Sequence, residues 1–126
     1  MAKVGIILGS NELSKVAYAG MSAVISTSLG DEVIIFVTMD GVKAFLRNSE
    51  VKVNEDSSKF IKELKEDPFS HFRKAKSTGK LKIYACSYAS KLFHASKESY
   101  IDLVDDIVGI TTFYLELEGG QIISIW

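Results

Sequence analysis

The feature that most constrains this fold is a series of short, continuously apolar segments separated by stretches with helical spacing. Residues 3–8, 32–37 and 81–86 consist mainly of consecutive aliphatic and aromatic side chains. Such runs are typical of parallel strands buried on both faces, because a strand with one face in water alternates apolar and polar residues instead. Two further strands are predicted at 106–108 and 121–126. The alternation with helices predicts an α/β fold, a three-layer sandwich of about five mainly parallel strands with helices on both faces.

Helix signals occupy the segments between these strands. Ser10 or Asn11 is predicted to cap a helix whose apolar positions recur at helical spacing until Gly30 stops it. Asp40 is predicted to cap a short helix over 42–46, because no alternating strand follows it as a hairpin would require. Five more helices are predicted. The first is capped by Ser57 or Ser58, the second begins at Asp67-Pro68, and the third spans 87–93. The fourth is capped within 96–99 and includes 100–104, and the fifth begins at Thr111 or Thr112.

The middle of the chain, residues 47–80, has a different composition from the rest. It holds nine basic and six acidic residues with few aliphatic ones, which predicts a mostly solvent-facing segment. Residues 47–57 are expected to form a mobile loop. Such a loop beside a site can cover it, although a long polar connection is more often only a surface crossover.

Length and charge exclude several classes of protein. At 126 residues the chain is expected to form one domain, residues 1–126, with enough buried surface for a core. Fifteen basic and sixteen acidic residues leave a net charge of −1, so no strong field attracts nucleic acid or an anionic membrane. The apolar run at 4–8 is too short for a signal peptide or a membrane span. Neither a nucleic-acid partner nor a membrane is therefore predicted.

The single cysteine, Cys86, lies where the third apolar segment meets a predicted helix. A lone cysteine excludes an intramolecular disulfide and suits a reducing compartment, so the cytoplasm is the expected location. Reactive groups gather at the carboxyl ends of parallel strands, and the unpaired N–H groups that open a helix favour a thiolate over a thiol. Cys86 is therefore the candidate nucleophile. The alternative is that its thiol behaves as a small buried hydrophobic group.

Hydroxyl and turn residues near the predicted strand ends are candidate supporting groups. Ser87 and Ser90 follow Cys86 within one helical turn, where they could donate to a sulfur anion or to a bound group, or simply cap the helix. The turns after the first two strands add Gly9, Ser10, Asn11, Asp40 and Gly41. The strand-glycine-helix pattern at 5–11 matches neither a dinucleotide fingerprint nor a P-loop, so a nucleotide site is not favoured.

The two histidines do not point to a metal or to a catalytic base. His94 lies eight residues beyond Cys86, roughly 12 Å along the same predicted helix, which is too far to take its proton. His71 belongs to the polar middle segment. Two histidines and one cysteine at these spacings do not form a tetrahedral zinc set. No metal site is therefore predicted.

Three stretches of the chain together carry a family resemblance. They are VIIFVTMDG at 33–41, IYACSYASKL at 83–92 and VGITTFYLE at 108–116. In order and spacing they resemble the DsrE/DsrF-like sulfur-relay family, which includes small proteins labelled peroxiredoxin-like. Relatives commonly have Gly where this chain has Phe93-His94, so the end of the cysteine helix is expected to differ.

The resemblance implies a parallel α/β sandwich that assembles into homo-oligomers, or into hetero-oligomers with a paralogue. It also implies that Cys86 carries sulfur as a persulfide, received from a small sulfur-carrier protein or another persulfide donor, with no cofactor. Because the family includes subunits without sulfur-transfer activity, the alternative is a non-catalytic oligomeric binding or scaffold subunit. Peroxiredoxin chemistry is not expected, since it needs Pro and Thr just ahead of the cysteine and Pro68 is the only proline.

Overall fold

The computed structural model describes residues 2–126 and contains one five-stranded sheet. The strands run in the order β4-β3-β2-β1-β5, and all four neighbouring pairs are parallel. The predicted α/β sandwich is confirmed, and the sheet is parallel throughout. The strand bounds are Lys3–Leu8 for β1, Glu32–Val37 for β2, Leu81–Cys86 for β3, Asp106–Val108 for β4 and Gln121–Ile125 for β5.

Six α-helices connect these strands within the described part of the chain. A 3₁₀ turn at Lys97–Ser99 lies between α5 and β4. Within residues 2–126, no helix is long and apolar enough to cross a membrane. The helix bounds are Leu13–Ser28 for α1, Gly41–Ala44 for α2, Asp56–Glu63 for α3, Ser70–Lys76 for α4, Ser87–Leu92 for α5 and Ile110–Leu117 for α6.

The order of the strands places α6 on the opposite side of the sheet from α1. From β1 to β4 each connection leads to the next strand in the same direction across the sheet, whereas the last connection returns past β1 to β5. Because crossovers between parallel strands are right-handed, a reversal of direction puts the connecting helix on the other face of the sheet. The packing agrees, because Phe113 of α6 stacks on Phe36 of β2 with ring centroids 5.1 Å apart. Gly5 of β1 leaves room for α6, since a Cβ there would approach the side chain of Leu117 to 2.7 Å.

The core lies on both sides of the central strands, as the continuous apolar runs predict. Ile6, Ile35 and Ile83 occupy neighbouring positions in the register of β1, β2 and β3, and all three are fully buried. Their face is covered by α1, whose Gly20 lies against Phe72 of α4. Burying side chains of this size stabilises the fold by roughly 1.5–3 kcal/mol each.

Several predicted helix caps are wrong, because tertiary contacts select other residues. Helix α1 is capped by Glu12, whose carboxylate accepts from the Ser14 N–H at 3.0 Å, and not by Ser10 or Asn11. Helix α3 follows Glu55, and Ser58, one of the two predicted caps, is buried inside that helix.

Two other helix starts also differ from the predictions. Helix α6 follows Gly109 and not a threonine. Helix α4 begins at Ser70, beyond the predicted Asp67-Pro68, and Asp67 instead accepts from the Phe69 N–H in the turn before it.

The helix predicted to include residues 100–104 is absent, and only the 3₁₀ turn forms there. One backbone donor of this segment and the donor that follows it bond to distant partners. Ile101 N–H donates to the carbonyl oxygen of Phe45 at 2.9 Å, and Asp105 N–H donates to that of Ile83 at 2.8 Å. These hydrogen bonds hold the segment against Phe45 and against Ile83 of β3. Tertiary contacts therefore determine its conformation, although its apolar residues have helical spacing.

Residues 47–57 are fastened to the start of α1, contrary to the expectation of a mobile loop. Lys52 N–H donates to the carbonyl oxygen of Asn11 at 2.9 Å, and Leu13 N–H donates to that of Lys52 at 2.8 Å. Asn54 N–H donates to the Glu12 carboxylate at 2.7 Å. The segment is therefore a structural strap along the β1–α1 junction.

Candidate functional site

The carboxyl edge of the parallel sheet brings the predicted site residues to one side of the molecule. Cys86 ends β3 and pairs in register with Val108 at the end of β4. The turns 9–11 and 38–41 follow β1 and β2 at the same edge. Since ligands of open α/β proteins bind outside these strand ends, this edge is the candidate functional site.

Cys86 is both the last residue of β3 and the N-cap of α5. Its backbone is extended, with φ −64° and ψ 127°, and its Sγ accepts from the Ala89 N–H at 3.4 Å. This contact satisfies one of the free N–H groups at the start of the helix. Alternation along β3 puts Cys86 on the same face as Tyr84, the face that α6 covers. The residue is buried, with 7% of its surface exposed.

The two serines after Cys86 do not contact its sulfur. Ser87 is half-buried at the start of α5, close to Gly109. Ser90 is buried, and its hydroxyl donates to the carbonyl oxygen of Cys86 at 2.7 Å. The same hydroxyl lies 2.5 Å from the Tyr100 hydroxyl. Within residues 2–126, neither serine donates a hydrogen bond to the Cys86 sulfur, and the N-cap of α5 is Cys86 and not a serine. A role of either serine toward a bound group stays a prediction.

The glycines of the edge are explained by close packing. A Cβ at Gly41 would lie 2.4 Å from the carbonyl oxygen of Leu8, so the backbone after β2 approaches β1 too closely for a side chain. A Cβ at Gly9 would lie 2.1 Å from the Trp126 ring. Both glycines let neighbouring chain segments meet at the strand ends.

Ser10, Asn11 and Asp40 have local structural contacts. The Ser10 hydroxyl accepts from the Glu12 N–H at 3.0 Å, and the Asn11 side-chain amide donates to the Glu50 carbonyl oxygen at 3.0 Å. Asp40 precedes α2 as predicted, but its carboxylate makes no capping hydrogen bond and lies 3.6 Å from the Lys43 ammonium.

Glu12 is the residue of this edge that sequence reasoning missed. Its buried carboxylate accepts hydrogen bonds from Ser14, Asn54 and Ser58. Burial raises the pKa of Glu12, but the hydrogen bonds from Ser58, Asn54 and Ser14 outweigh it and lower the pKa to about 2. A glutamate near a helix start reads as an exposed charge, and its partners at 54 and 58 are visible only after folding.

No group of three or more His, Cys, Asp or Glu side chains in the described part of the chain is arranged to hold a metal ion. The edge does offer one thiol that accepts a hydrogen bond from a backbone N–H, and a buried pair of hydroxyls bonded to the backbone of the same residue.

Comparison with solved structures places this fold among known ones. The chain is similar to the YchN protein of E. coli, with a TM-score of 0.71 and 14% identity, over 99% of this chain and 100% of that one. It is also similar to MTH1491 of Methanobacterium thermoautotrophicum, titled a protein of unknown function, with a TM-score of 0.64 and 15% identity over 98% and 99% of the two chains. At these identities the likeness concerns the fold alone.

Sequence comparison identifies the family. No curated protein sequence matches the chain. The model of the DsrE/DsrF-like family matches residues 2–117, which include every strand but β5 and all six helices. The chain therefore belongs to the DsrE/DsrF-like family.

Proposed function

We propose that this protein is a sulfur-relay protein in which Cys86 accepts sulfane sulfur as a persulfide and passes it to a partner thiol. The observation that carries the proposal is the position of the only cysteine of a DsrE/DsrF-like chain, at the carboxyl edge of the sheet and at the start of a helix. Family membership suggests a sulfur-relay role, and Cys86 is the side chain able to carry it.

The transfer needs no external oxidant or reductant. The Cys86 thiolate attacks the outer sulfur of a donor persulfide, R–S–SH, so that a new S–S bond forms at Cys86 and the donor S–S bond breaks. The donor leaves as R–S⁻, and the proton of its outer sulfur remains on the Cys86 persulfide or passes to solvent. An acceptor thiolate then attacks the outer sulfur of that persulfide and regenerates the Cys86 thiolate.

Two features of the chain suit a carrier of this kind. The Ala89 N–H already points at Sγ, and a helix N-terminus favours negative charge on sulfur. The sequence has no second cysteine, so no resolving thiol in the same chain can discharge the persulfide as a disulfide. The persulfide is therefore discharged only by a thiol from outside the chain.

The partners and location follow from this chemistry as part of the proposal. The donor is a small sulfur-carrier protein or another persulfide donor, and the chain assembles as a homo-oligomer or with a paralogue. A lone free thiol suits the cytoplasm. The step requires no cofactor, and residues 1–126 act as a single domain.

A second candidate function is a non-catalytic oligomeric binding or scaffold subunit. It is favoured by the low exposure of Cys86, which is 7%, and by the use of its sulfur as a helix cap. Large exposed side chains such as Tyr88, Tyr114 and Trp126 would serve as subunit contacts in either case.

Persulfide loading separates the two functions. The folded protein is treated with glutathione persulfide, freed of excess reagent and measured by intact-protein mass spectrometry. The relay proposal expects one added sulfur atom on Cys86, which a small acceptor thiol then removes. Cys86→Ser is the matched control, because serine keeps a helix-capping side chain but cannot form a persulfide. If the folded protein gains no sulfur while the unfolded chain does, the scaffold function is favoured instead.

A further inference from the structure

A buried chain of two hydroxyl groups connects Tyr100 to the backbone of Cys86. The Tyr100 hydroxyl lies 2.5 Å from the Ser90 hydroxyl, and the Ser90 hydroxyl lies 2.7 Å from the Cys86 carbonyl oxygen. Tyr100 is 2% exposed and Ser90 is 3% exposed. Buried polar groups are costly without partners, so this chain is a specific part of the structure.

The direction of the two hydrogen bonds follows from the available protons. The one proton of Ser90 is donated to the Cys86 carbonyl, which has no proton to give. The Tyr100 hydroxyl must therefore donate to the Ser90 oxygen. Burial raises the pKa of Tyr100, with the hydrogen bond to Ser90 partly opposing it, so the phenol keeps its proton at neutral pH.

Tyr100 is held by a part of the molecule other than α5. Ile101 N–H donates to the Phe45 carbonyl oxygen at 2.9 Å, and Arg47 N–H donates to the Ser99 carbonyl oxygen at 2.8 Å. An antiparallel bridge joins Tyr100 to Leu46 in the same region. The hydroxyl chain therefore ties the first turn of α5 to the segment that follows α2.

Helix α5 needs such an external tie because it has only six residues. A helix this short does not hold its shape in isolation. The distance from Sγ to the Ala89 N–H depends on the backbone angles of Cys86, and the Cys86 carbonyl is the group that Ser90 fixes.

We propose that Tyr100 and Ser90 are positioning residues for Cys86, and that their hydroxyl chain keeps the sulfur over the Ala89 N–H at the start of α5. The importance of this positioning for sulfur transfer rests on the proposed function. Neither hydroxyl touches the reacting sulfur. Both act by holding the backbone from which that sulfur projects.

A double-mutant cycle tests this inference with Ser90→Ala, Tyr100→Phe and the double variant. Ser90→Ala leaves the Tyr100 hydroxyl buried without an acceptor and is expected to lower Tm by about 5–10 °C. The double variant removes both hydroxyls and is expected to regain most of that loss. Thr27→Ala is the control, because Thr27 is also buried and donates to the carbonyl of Ala23 in α1, far from Cys86.

Two readouts on the folded proteins report the position of the sulfur. One is the rate of Cys86 alkylation by iodoacetamide, and the other is hydrogen exchange of the Ala89 amide. The double variant is expected to alkylate about tenfold more slowly than wild type, because the sulfur loses its N–H donor. Its Ala89 amide is expected to exchange faster. Thr27→Ala is expected to match wild type in both readouts.

The outcomes also separate this inference from the proposed function. The positioning role is overturned if the double variant regains its Tm, alkylates at least as fast as wild type and keeps an unchanged Ala89 exchange rate. A wild-type protein that shows the expected difference from the double variant but takes no sulfur from glutathione persulfide supports the positioning role and overturns the relay.

Discussion

Two junctions at the carboxyl edge, β1–α1 and β3–α5, solve the same structural problem with different chemistry. In each, a helix follows a strand, and the N-cap side chain accepts from a backbone N–H of the first helical turn. At β1–α1 the acceptor is the Glu12 carboxylate, which also binds Asn54 of the strap and Ser58 of α3. At β3–α5 the acceptor is the Cys86 sulfur, which holds a single N–H at 3.4 Å.

The difference separates a structural junction from one suited to chemistry. A carboxylate surrounded by several donors has no free bonding capacity and fixes distant segments to one another. A thiol that accepts one long hydrogen bond remains able to attack an electrophile. The contrast predicts that substitutions at Glu12 mainly change stability, whereas substitutions at Cys86 mainly change reactivity.

The largest expected effect is that of Glu12→Gln. The amide keeps the size of the side chain but places an NH₂ group among donors that need an acceptor, so we expect a loss of about 3 kcal/mol in the free energy of unfolding. Urea denaturation measures this loss. Glu63→Gln is the control on an exposed position of α3, where the expected change is within about 0.5 kcal/mol. Equal stability of the two variants would contradict the structural role of Glu12.

The pH dependence of stability sharpens the same comparison. The pKa of Glu12 is lowered in the folded protein to about 2 from 4.5, so its stabilising contribution is fully present above pH 4.5. That contribution, about 3 kcal/mol, is lost as the pH falls from about 4.5 to about 2, because the unfolded chain takes up the proton first. The stability difference between wild type and Glu12→Gln should therefore shrink over this range. A difference that does not change with pH would contradict the assignment.

Substitution of the glycines that follow β1 and β2 is expected to cause smaller losses of stability. The loss depends on whether the added methyl group meets backbone or a side chain. Gly41→Ala would drive a methyl group into the Leu8 carbonyl, which the sheet holds in place, and is expected to cost about 2 kcal/mol. Gly9→Ala would meet the Trp126 ring, which is 58% exposed and free to turn outward, so the expected cost is below about 1 kcal/mol. Thermal unfolding of both variants tests the order of the two losses.

The smallest expected change in stability is at Cys86. Cys86→Ala removes the cap of α5 and should cost about 1 kcal/mol, whereas Cys86→Ser replaces it with another capping group and should stay within about 0.5 kcal/mol of wild type. Both variants should lose all persulfide loading. Stability is measured by urea denaturation and loading by mass spectrometry. A Cys86→Ser variant that still gains sulfur would contradict the assignment of the persulfide to Cys86.

Some elements of this structure are predictable because their cause is local in the sequence. The first three strands have the predicted bounds, since runs of aliphatic residues cannot remain in water and are too short for buried helices. Gly30 ends α1 as predicted, with a φ of 95° that favours glycine. The place of Cys86 between a strand and a helix is predictable for the same reason.

Other elements have causes that lie far away along the chain. Glu12 replaces the predicted caps because its carboxylate also binds Asn54 and Ser58. These partners are 42 and 46 residues away along the chain. The helix predicted to include 100–104 does not form, since the backbone of Ile101 bonds to Phe45 and that of Asp105, the next residue after the segment, bonds to Ile83. No local pattern reports these partners.

The sequence by itself therefore determined the parallel α/β architecture and the position of the thiol at a strand end, because burial of apolar runs and chain order are sufficient for them. The resemblance carried by three stretches of the sequence indicated the family. Only the tertiary structure decided how that thiol is held. The hydrogen bonds of the Ala89 N–H and the Ser90 hydroxyl to Cys86 form within one helical turn. The Tyr100 hydroxyl that bonds Ser90, and the partners of Glu12 at 54 and 58, come from segments that meet these groups only when the chain has folded.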